Sequence, residues 1–466
     1  MSTRRRTWWR GLLVALIGAL PLVGGPGGAR ALSTADERQI GQEFDLAARA
    51  RLPLITDVEV TQFVRRVGQR IVAALGRREF SYHFFVVRDP RINAFAVPGG
   101  YIYAHAGLLT RASNEEELAG VVGHEIAHVN AHHLARQREA SKLMNHMALL
   151  GMLLSIVQPA IGAGTAAASA ASQLEYQREF EQEADYLGVR YVRDAGYDPH
   201  GMLDFFKKML DEQRTTPTFT PPYLLSHPLT ERRLSNLEAV LRTPQWNRST
   251  RATASVELER VQVLVRARME PPQDVLMAYR RQAEANPSSG RARDLLGLAQ
   301  LETGQFDAAR QSFEAARQLG VASVDRDLGR AWLRLRQPAQ ARECLERAVQ
   351  TMPDDPVAHY DLALARQADG DPVGAARAFS HAANLAPDDA DAHYGLGMLL
   401  GRTGDTGRGL YHLGMAHALR GEYTEAVSCF DRALPQLPAD SPERAAAQAS
   451  FDQLGEYVRT GHVPRP

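Results

Sequence analysis

Cysteine and an excess of charge are the features that this sequence most clearly lacks. Only Cys344 and Cys429 occur in 466 residues, too few for a framework of disulfides. Basic and acidic residues both number 54, and five of the arginines lie in the first thirty residues, which contain no acid. The remainder is therefore mildly acidic, which excludes the basic surface typical of nucleic-acid-binding proteins. No nucleic-acid partner is expected.

Long apolar runs are also scarce. The thirteen uncharged residues from Gly11 to Val23 are short for a membrane span. They follow the basic segment RRRTWWR and precede GPGGARA, in which Ala29 and Ala31 have the spacing that a signal peptidase requires. The pattern predicts an exported protein with a signal peptide over residues 1–31 that is cleaved after Ala31. An uncleaved anchor is the alternative, and the sequence does not decide between Sec and twin-arginine export.

A second uncharged stretch covers residues 143–174. It combines MALLGMLLSIV with a segment rich in alanine and glycine, and Pro159 lies between the two. Proline and glycine disfavour a spanning helix. We therefore expect a buried or partly exposed apolar hairpin, for which a membrane surface or an unfolded client is a candidate contact; a transmembrane span is the alternative.

The C-terminal half repeats one pattern, an aromatic residue or leucine with alanine four positions before and three after it. The centres are Phe313, Leu345, Phe379 and Phe430, and a looser copy surrounds Tyr279. From Tyr279 onward, the spacings are 34, 32, 34 and 51 residues. This pattern resembles the tetratricopeptide repeat, an all-α solenoid that binds proteins or extended segments. The longest step leaves room for an unpaired extra helix near residues 406–421.

These boundaries predict four segments. A signal peptide over 1–31 precedes a first domain over 32–245, a polar linker over 246–254 and a repeat domain over 255–466. The last helix of the repeat domain, which begins near SPERAAA, is polar enough to cap the solenoid. Both cysteines occupy the same position of their repeats, so we expect them to be small core residues.

The segment HEIAH places His124 and His128 four residues apart. On a helix both side chains face one side and can bind one ion, while Glu125 lies about 100° around the axis. H-E-x-x-H is typical of zinc hydrolases, in which zinc acidifies a water and the glutamate accepts its proton. The preceding SNEEELAGVVG predicts a helix capped by Asn114 or Ser113. An amphipathic helix with two incidental histidines is the alternative, so a third ligand is needed.

An acid-rich stretch downstream supplies candidates for that ligand. The residues alone do not choose among Glu175, Glu179, Glu181 and Glu183. However, E-x-x-A-D, starting at Glu181 and ending at Asp185, resembles the second motif of the M48 family of zinc peptidases. The resemblance implies that Glu181 is the third ligand of one Zn2+ per chain. It also implies that Asp185 holds a ligating histidine in its tautomer, in an α+β zincin-like domain that is mostly helical with a small sheet.

The segment INAFAVPGGYIYAHAGLL alternates after its two glycines. A buried core strand is one interpretation of this pattern, with His105 as a structural histidine. The resemblance implies instead an active-site edge strand on which an extended substrate adds as a further strand. That strand is predicted at Gly100, Tyr101, Ile102 and Tyr103.

A third segment, LLSHPLTERRL, resembles the S-H-P segment of the family. Three roles stay open for His227: a catalytic group that stabilises the oxyanion, an inhibitory fourth zinc ligand, or a capping or core histidine. His132 and His133 follow the motif helix and are expected to support the ligands or to lie on the surface.

Together, these features predict an exported zinc endopeptidase in which Glu125 and His227 act on the substrate. The arrangement of signal peptide, peptidase domain and repeats is similar to periplasmic members of the family. This implies quality control and assembly of outer-membrane β-barrel proteins, with unfolded or misassembled outer-membrane proteins as substrates and the barrel assembly machinery as a partner of the repeats. The alternatives are a largely latent protease that acts as a chaperone or adaptor, and a membrane-associated peptidase.

Overall fold

A computed structural model describes residues 32–141, 178–215, 221–246 and 255–463. Its N-terminal part is mostly helical with one small sheet, as predicted. The helices are α1 (Thr34–Arg51), α2 (Val58–Ala73), α3 (Ala106–Arg111), α4 (Glu115–Asn130), α5 (His133–Ser141), α6 (Arg178–Asp194), α7 (His200–Thr215), α8 (Pro222–Ser226) and α9 (Glu231–Leu241). The strands are β1 (His83–Val87), β2 (Ala94–Val97) and β3 (Tyr101–His105).

The sheet has the strand order β1-β3-β2, with β3 parallel to β1 and antiparallel to β2. The prediction of an edge strand at Gly100, Tyr101, Ile102 and Tyr103 is therefore wrong, because both sides of β3 pair with a neighbouring strand. Gly100 belongs to the preceding turn, where its φ of 102° is in the left-handed region that glycine adopts without strain. In the described part of the chain, β2 is the outer strand nearest to α4.

Helix α4 carries the H-E-x-x-H motif and packs against α6 and α7. Its side-chain cap is Asn114, whose Oδ1 accepts a hydrogen bond from the backbone N–H of Glu117 at 2.9 Å. Three acids in the first turn complement the positive end of the helix dipole. The predicted start of the motif helix is therefore confirmed.

The C-terminal part is helical throughout its described residues. Its helices are α10 (Val256–Met269), α11 (Pro272–Ala285), α12 (Gly290–Glu302), α13 (Phe306–Gln318), α14 (Val324–Arg334), α15 (Pro338–Thr351), α16 (Pro356–Ala368), α17 (Pro372–Leu385), α18 (Ala390–Thr403), α19 (Thr406–Leu419), α20 (Tyr423–Ala433) and α21 (Pro442–Thr460). The repeat centres on α13, α15, α17 and α20 are fully buried, together with the alanines on either side of each. This confirms the repeat pattern. Helix α19 lies where the extra helix was expected, although it is not unpaired, since it packs against both α18 and α20.

Both cysteines are free, as expected. Cys344 is buried and Cys429 is half-buried in the packing of their repeats.

The repeats pack directly against the N-terminal part. A single core of buried apolar side chains continues from α2 and the sheet into the first repeat helices. On α2, the Glu59 carboxylate contacts the guanidinium of Arg260 at 2.7 Å and that of Arg326 at 2.8 Å. At the other end of the solenoid, the Tyr423 hydroxyl donates a buried hydrogen bond to the carbonyl of Leu46 on α1 at 2.7 Å. The two parts are therefore joined at both ends of the repeat array.

Several predicted features lie outside the described residues. These are the signal peptide, the apolar stretch at 143–174 and residues 247–254 of the linker. No helix in the described part of the chain combines the length and the apolarity that crossing a membrane requires.

Candidate metal centre

Both motif histidines and Glu181 meet between α4 and α6. The Nε2 atoms of His124 and His128 lie 3.0 Å apart. The Glu181 carboxylate places one oxygen 3.5 Å from Nε2 of His124 and the other 3.4 Å from Nε2 of His128. With bonds of about 2.0–2.2 Å to zinc, two corners of a tetrahedron lie about 3.3 Å apart. The three side chains therefore have the separations that one metal ion would require.

His227 completes this cluster. One potential ligand atom from each of His124, His128, Glu181 and His227 lies within 4.8 Å of all the others, and all four residues are buried. The Nδ1 atom of His227 contacts Oε1 of Glu181 at 2.9 Å. The structure therefore brings His227 to the predicted ligands, although 46 residues separate it from Glu181.

Glu125 lies beside the cluster, where the described residues supply no hydrogen-bond donor to its carboxylate. It is fully buried, and neither carboxylate oxygen has a hydrogen-bond partner in the described part of the chain. Its Oε1 lies 3.7 Å from Nε2 of His227. A buried carboxylate without hydrogen bonds is unfavourable. A water bound next to the cluster would supply the missing donor, so the residues fit a metal centre with a water-activating glutamate.

Asp185 and Arg233 contact the predicted ligands from outside the cluster. Oδ1 of Asp185 lies 3.0 Å from Nδ1 of His124, on the opposite side of the ring from the other ligands. Arg233 contacts both oxygens of Asp185, at 2.8 and 2.7 Å, and Oε2 of Glu181 at 2.6 Å. Asp185 therefore lies next to one of the predicted ligands, and its role in holding the tautomer of that histidine stays a prediction.

Arg233 was missed by the sequence reasoning. It lies in the segment LTERRL, where two adjacent arginines give no indication of which one is buried. The signal that could have found it is the pair of acids, Glu181 and Asp185, expected inside the domain. Buried carboxylates need a compensating cation, so a buried arginine or lysine near them was to be expected.

The electrostatics of the metal-free site follow from these contacts. Burial alone would lower the pKa of His124, but its hydrogen bonds with Asp185 and Glu181 outweigh burial and raise the pKa to about 9. Burial would raise the pKa of Glu181, whereas the charge of His227 and hydrogen bonds from the motif histidines hold it well below the ordinary value. The pKa of His128 is well below the ordinary value because of burial. Metal binding would therefore release a proton from His124.

The short helix α8 lies against the cluster. Tyr223 on this helix stacks on the ring of His227, with 4.7 Å between ring centroids. The backbone N–H of Tyr223 donates to the carbonyl of Ile92, just before β2, at 3.4 Å. His124, Glu125 and His227 are at most 1 % exposed, and Tyr223 packs directly on one of the four potential ligands.

Comparison with known proteins identifies the class. Residues 59–241 match the model of peptidase family M48, and tetratricopeptide repeat models match residues 276–323, 326–383, 360–408 and 407–432. The chain therefore contains a metallopeptidase domain of family M48 followed by tetratricopeptide repeats, and this family implies a metal cofactor.

Its similarity to one group of relatives extends over both parts of the chain. It is 29 % identical over 455 residues to the β-barrel assembly-enhancing protease of Escherichia coli (strain K12), covering 93 % of this chain and 91 % of that protein. The putative β-barrel assembly-enhancing protease of Vibrio cholerae is 37 % identical over 225 residues, covering 47 % and 46 %. The mitochondrial metalloendopeptidase OMA1 of Schizosaccharomyces pombe is 28 % identical over 190 residues, covering 41 % and 56 %.

Proposed function

We propose that this metallopeptidase is an exported zinc endopeptidase that acts on unfolded or misassembled outer-membrane β-barrel proteins. The buried cluster of His124, His128 and Glu181 beside the unpartnered carboxylate of Glu125 carries the proposal. Two imidazoles and one carboxylate are the ligands of many catalytic zinc sites, whereas magnesium and calcium prefer oxygen ligands alone. The donor set therefore favours zinc.

In the proposed mechanism, side chains of the peptidase domain transfer protons and hold the predicted ligands in place. When bound, zinc would polarise the scissile carbonyl and make a nearby water more acidic. Glu125 accepts the proton of the attacking water and passes it to the nitrogen of the leaving amine. Burial of Glu125 strengthens its interaction with that proton, because water does not compete for its oxygens. Asp185 and Arg233 keep His124 and Glu181 in place.

The substitution Glu125→Gln tests the catalytic role. We expect the variant to fold and bind zinc as the wild type does, because Glu125 is not one of the proposed ligands. Casein hydrolysis should fall by a factor of about 10²–10⁴, the usual contribution of a general base. The matched control is Glu116→Gln on the same helix, which should keep its activity. Undiminished cleavage by Glu125→Gln would exclude this assignment.

A second reading is that the protease is largely latent. It is favoured by the contact of His227 with Glu181 and by the complete burial of the site. As a fourth ligand, His227 would occupy the position that water and substrate need. The protein would then act mainly as a chaperone or adaptor until α8 moves.

The substitution His227→Ala distinguishes the roles of this histidine. If His227 is an inhibitory ligand, we expect at least a tenfold rise in casein hydrolysis with unchanged zinc content. If it stabilises the oxyanion, hydrolysis should fall by about 10²–10³. A change of less than twofold, in a variant as stable as the wild type, would leave the capping or core role.

Export and the outer-membrane role are supported by the predicted signal peptide and by the names of the relatives. We propose cleavage after Ala31, a peptidase domain over 32–245, a linker over 246–254 and a repeat domain over 255–466. Edman sequencing of the periplasmic protein should begin at Leu32. Carbonate extraction tests the membrane-associated alternative, since an integral form stays in the pellet.

The repeats are the proposed contact with the barrel assembly machinery. Because they share a core with the peptidase domain, deletion would expose apolar surface, so the partner is best captured with the full chain. A photo-crosslinking residue at the exposed Tyr394 or Met398 of α18, combined with Glu125→Gln, should trap outer-membrane proteins or assembly factors. Trapping of only soluble periplasmic proteins would argue against this role.

A further inference from the structure

The Nδ1 atoms of the two motif histidines, which face away from the other predicted ligands, have different partners. Nδ1 of His124 faces the carboxylate of Asp185, a common arrangement for a metal-binding histidine. Nδ1 of His128 instead lies 2.9 Å from Nδ1 of a second imidazole, that of His133. His133 is fully buried, and its Nε2 lies 3.2 Å from Oε2 of Glu183. His128 is thus connected to a carboxylate through an intervening ring.

The backbone explains how His133 reaches this position. The chain leaves α4 through His132, whose φ of 53° is in the left-handed region. The next residue, His133, is the first residue of α5. Its ring stacks on Phe180 of α6 with 4.7 Å between centroids and 11° between the ring planes. The ring is therefore fixed by packing on one side and by His128 on the other.

These contacts allow one consistent placement of protons. A neutral His128 that binds metal through Nε2 must carry its proton on Nδ1 and donate it to Nδ1 of His133. His133 must then carry its own proton on Nε2, where Glu183 is the acceptor. In the reverse arrangement, His128 would be protonated on the atom that faces the cluster, and a lone pair of His133 would face a carboxylate. Glu183 therefore selects the first arrangement.

We propose that His133 is a positioning residue of the metal centre, which passes a hydrogen bond from His128 to Glu183 and so keeps Nε2 of His128 available for the metal. This inference rests on the proposed metal centre. It assigns to His133 and Glu183 the task that Asp185 performs for His124. Arg136, 3.0 Å from Glu183, holds that carboxylate in place on the partly exposed side.

Metal affinity and the cobalt spectrum test the proposal. His133→Phe keeps a ring that can stack on Phe180 but removes both ring nitrogens, whereas His133→Asn places an amide oxygen near the position of Nδ1 and keeps the acceptor for His128. Chelator competition should show a 10–100-fold loss of zinc affinity for His133→Phe and at most a threefold loss for His133→Asn. The visible spectrum of the Co2+-loaded protein should change in His133→Phe and stay close to wild type in His133→Asn.

A second pair of variants remains informative if His133→Phe fails to fold. Glu183→Met removes the final acceptor on the surface of α6, and Glu179→Met, an exposed residue one turn earlier, is the matched control. Glu183→Met should weaken zinc binding three- to tenfold and the control should not.

Equal zinc affinity and an unchanged cobalt spectrum in a folded His133→Phe, or equal affinities for Glu183→Met and its control, would overturn the inference. Equal losses in His133→Phe and His133→Asn would also overturn it, because a general packing defect would then explain both. If the wild type binds no metal, the proposed function itself fails.

Discussion

At the scale of single residues, Arg233 is the cation that allows two carboxylates to stay ionised inside the domain. Its side chain is 4 % exposed and contacts both Asp185 and Glu181. Burial would raise the pKa of Asp185, but the charge of Arg233 and its hydrogen bonds lower it below the ordinary value. The guanidinium also donates to the carbonyl of Pro228, next to His227, at 2.8 Å. One residue therefore links Asp185 and Glu181 to the segment that carries His227.

Replacing Arg233 by methionine should destabilise the metal-free protein by about 3–5 kcal/mol, because it leaves buried carboxylates without a partner. Urea denaturation of the apoprotein measures this loss. The exposed neighbour Arg232 is the control, and Arg232→Met should change the free energy of unfolding by no more than about 0.5 kcal/mol. A similar small change for Arg233→Met would show that the acids are compensated in another way.

At the scale of elements, the distance between α4 and α6 determines whether the predicted ligands meet. The two helices cross at Gly123 and Gly188. A Cβ atom on Gly188 would lie 3.0 Å from the backbone nitrogen of His124, and one on Gly123 would lie 2.6 Å from the side chain of Val192. Close contact of the two backbones is what brings Glu181 to the motif histidines.

The substitution Gly188→Val should push α6 away from α4 and lower zinc affinity at least tenfold, with a loss of about 1–3 kcal/mol in stability from overpacking. Zinc competition and urea denaturation measure both effects. The control is Gly401→Ala on α18, where a Cβ meets nothing within 4 Å. This change should stabilise the protein by about 0.5–1 kcal/mol, as expected for glycine in a helix. Unchanged zinc affinity in Gly188→Val would mean that the crossing tolerates a larger separation.

At the scale of the whole molecule, a buried ion network holds the repeats on the peptidase domain. Burial would raise the pKa of Glu59, but the charges of Arg260 and Arg326 hold it far below the ordinary value. Because the pKa of Glu59 is lower in the folded state than in the unfolded state, its ionised carboxylate stabilises the fold. This stabilisation is complete at pH values above the pKa of the unfolded state, which is about 4.3. This contribution is lost as the pH falls from there toward the folded-state pKa.

The substitution Glu59→Gln should therefore cost about 3–5 kcal/mol near neutral pH, because two buried guanidinium groups lose their counter-ion. The difference in the free energy of unfolding between the variant and the wild type should shrink below about pH 4. There the unfolded wild type binds a proton at Glu59, which already favours its unfolding. Denaturation curves at several pH values test this. Glu257→Gln removes an exposed interdomain pair with Arg66 and should change stability by less than about 1 kcal/mol. A gap that stays constant down to pH 3 would contradict the assigned charge state.

Much of the site was predictable because its signals are local. Two histidines four residues apart share a helix face, and Asn114 before three acids marks the start of that helix. The alanine and aromatic positions of the repeats reflect the same helical period and are buried as expected. These patterns depend on helix geometry, which is decided over a few residues. Glu181 was selected by its family resemblance, since four nearby acids were locally equivalent.

Other features depend on contacts between distant segments, which local periodicity does not encode. The place of β3 in the middle of the sheet is one, because strand order depends on pairing between segments. Arg233 and the link from His133 to Glu183 are others, since each joins residues from different helices. The sequence by itself determined the metal motif, its helix and the repeat architecture. Only the tertiary structure decided which strand is central, which cation is buried, and that His227 lies beside the predicted ligands, because each of these depends on contacts between distant segments.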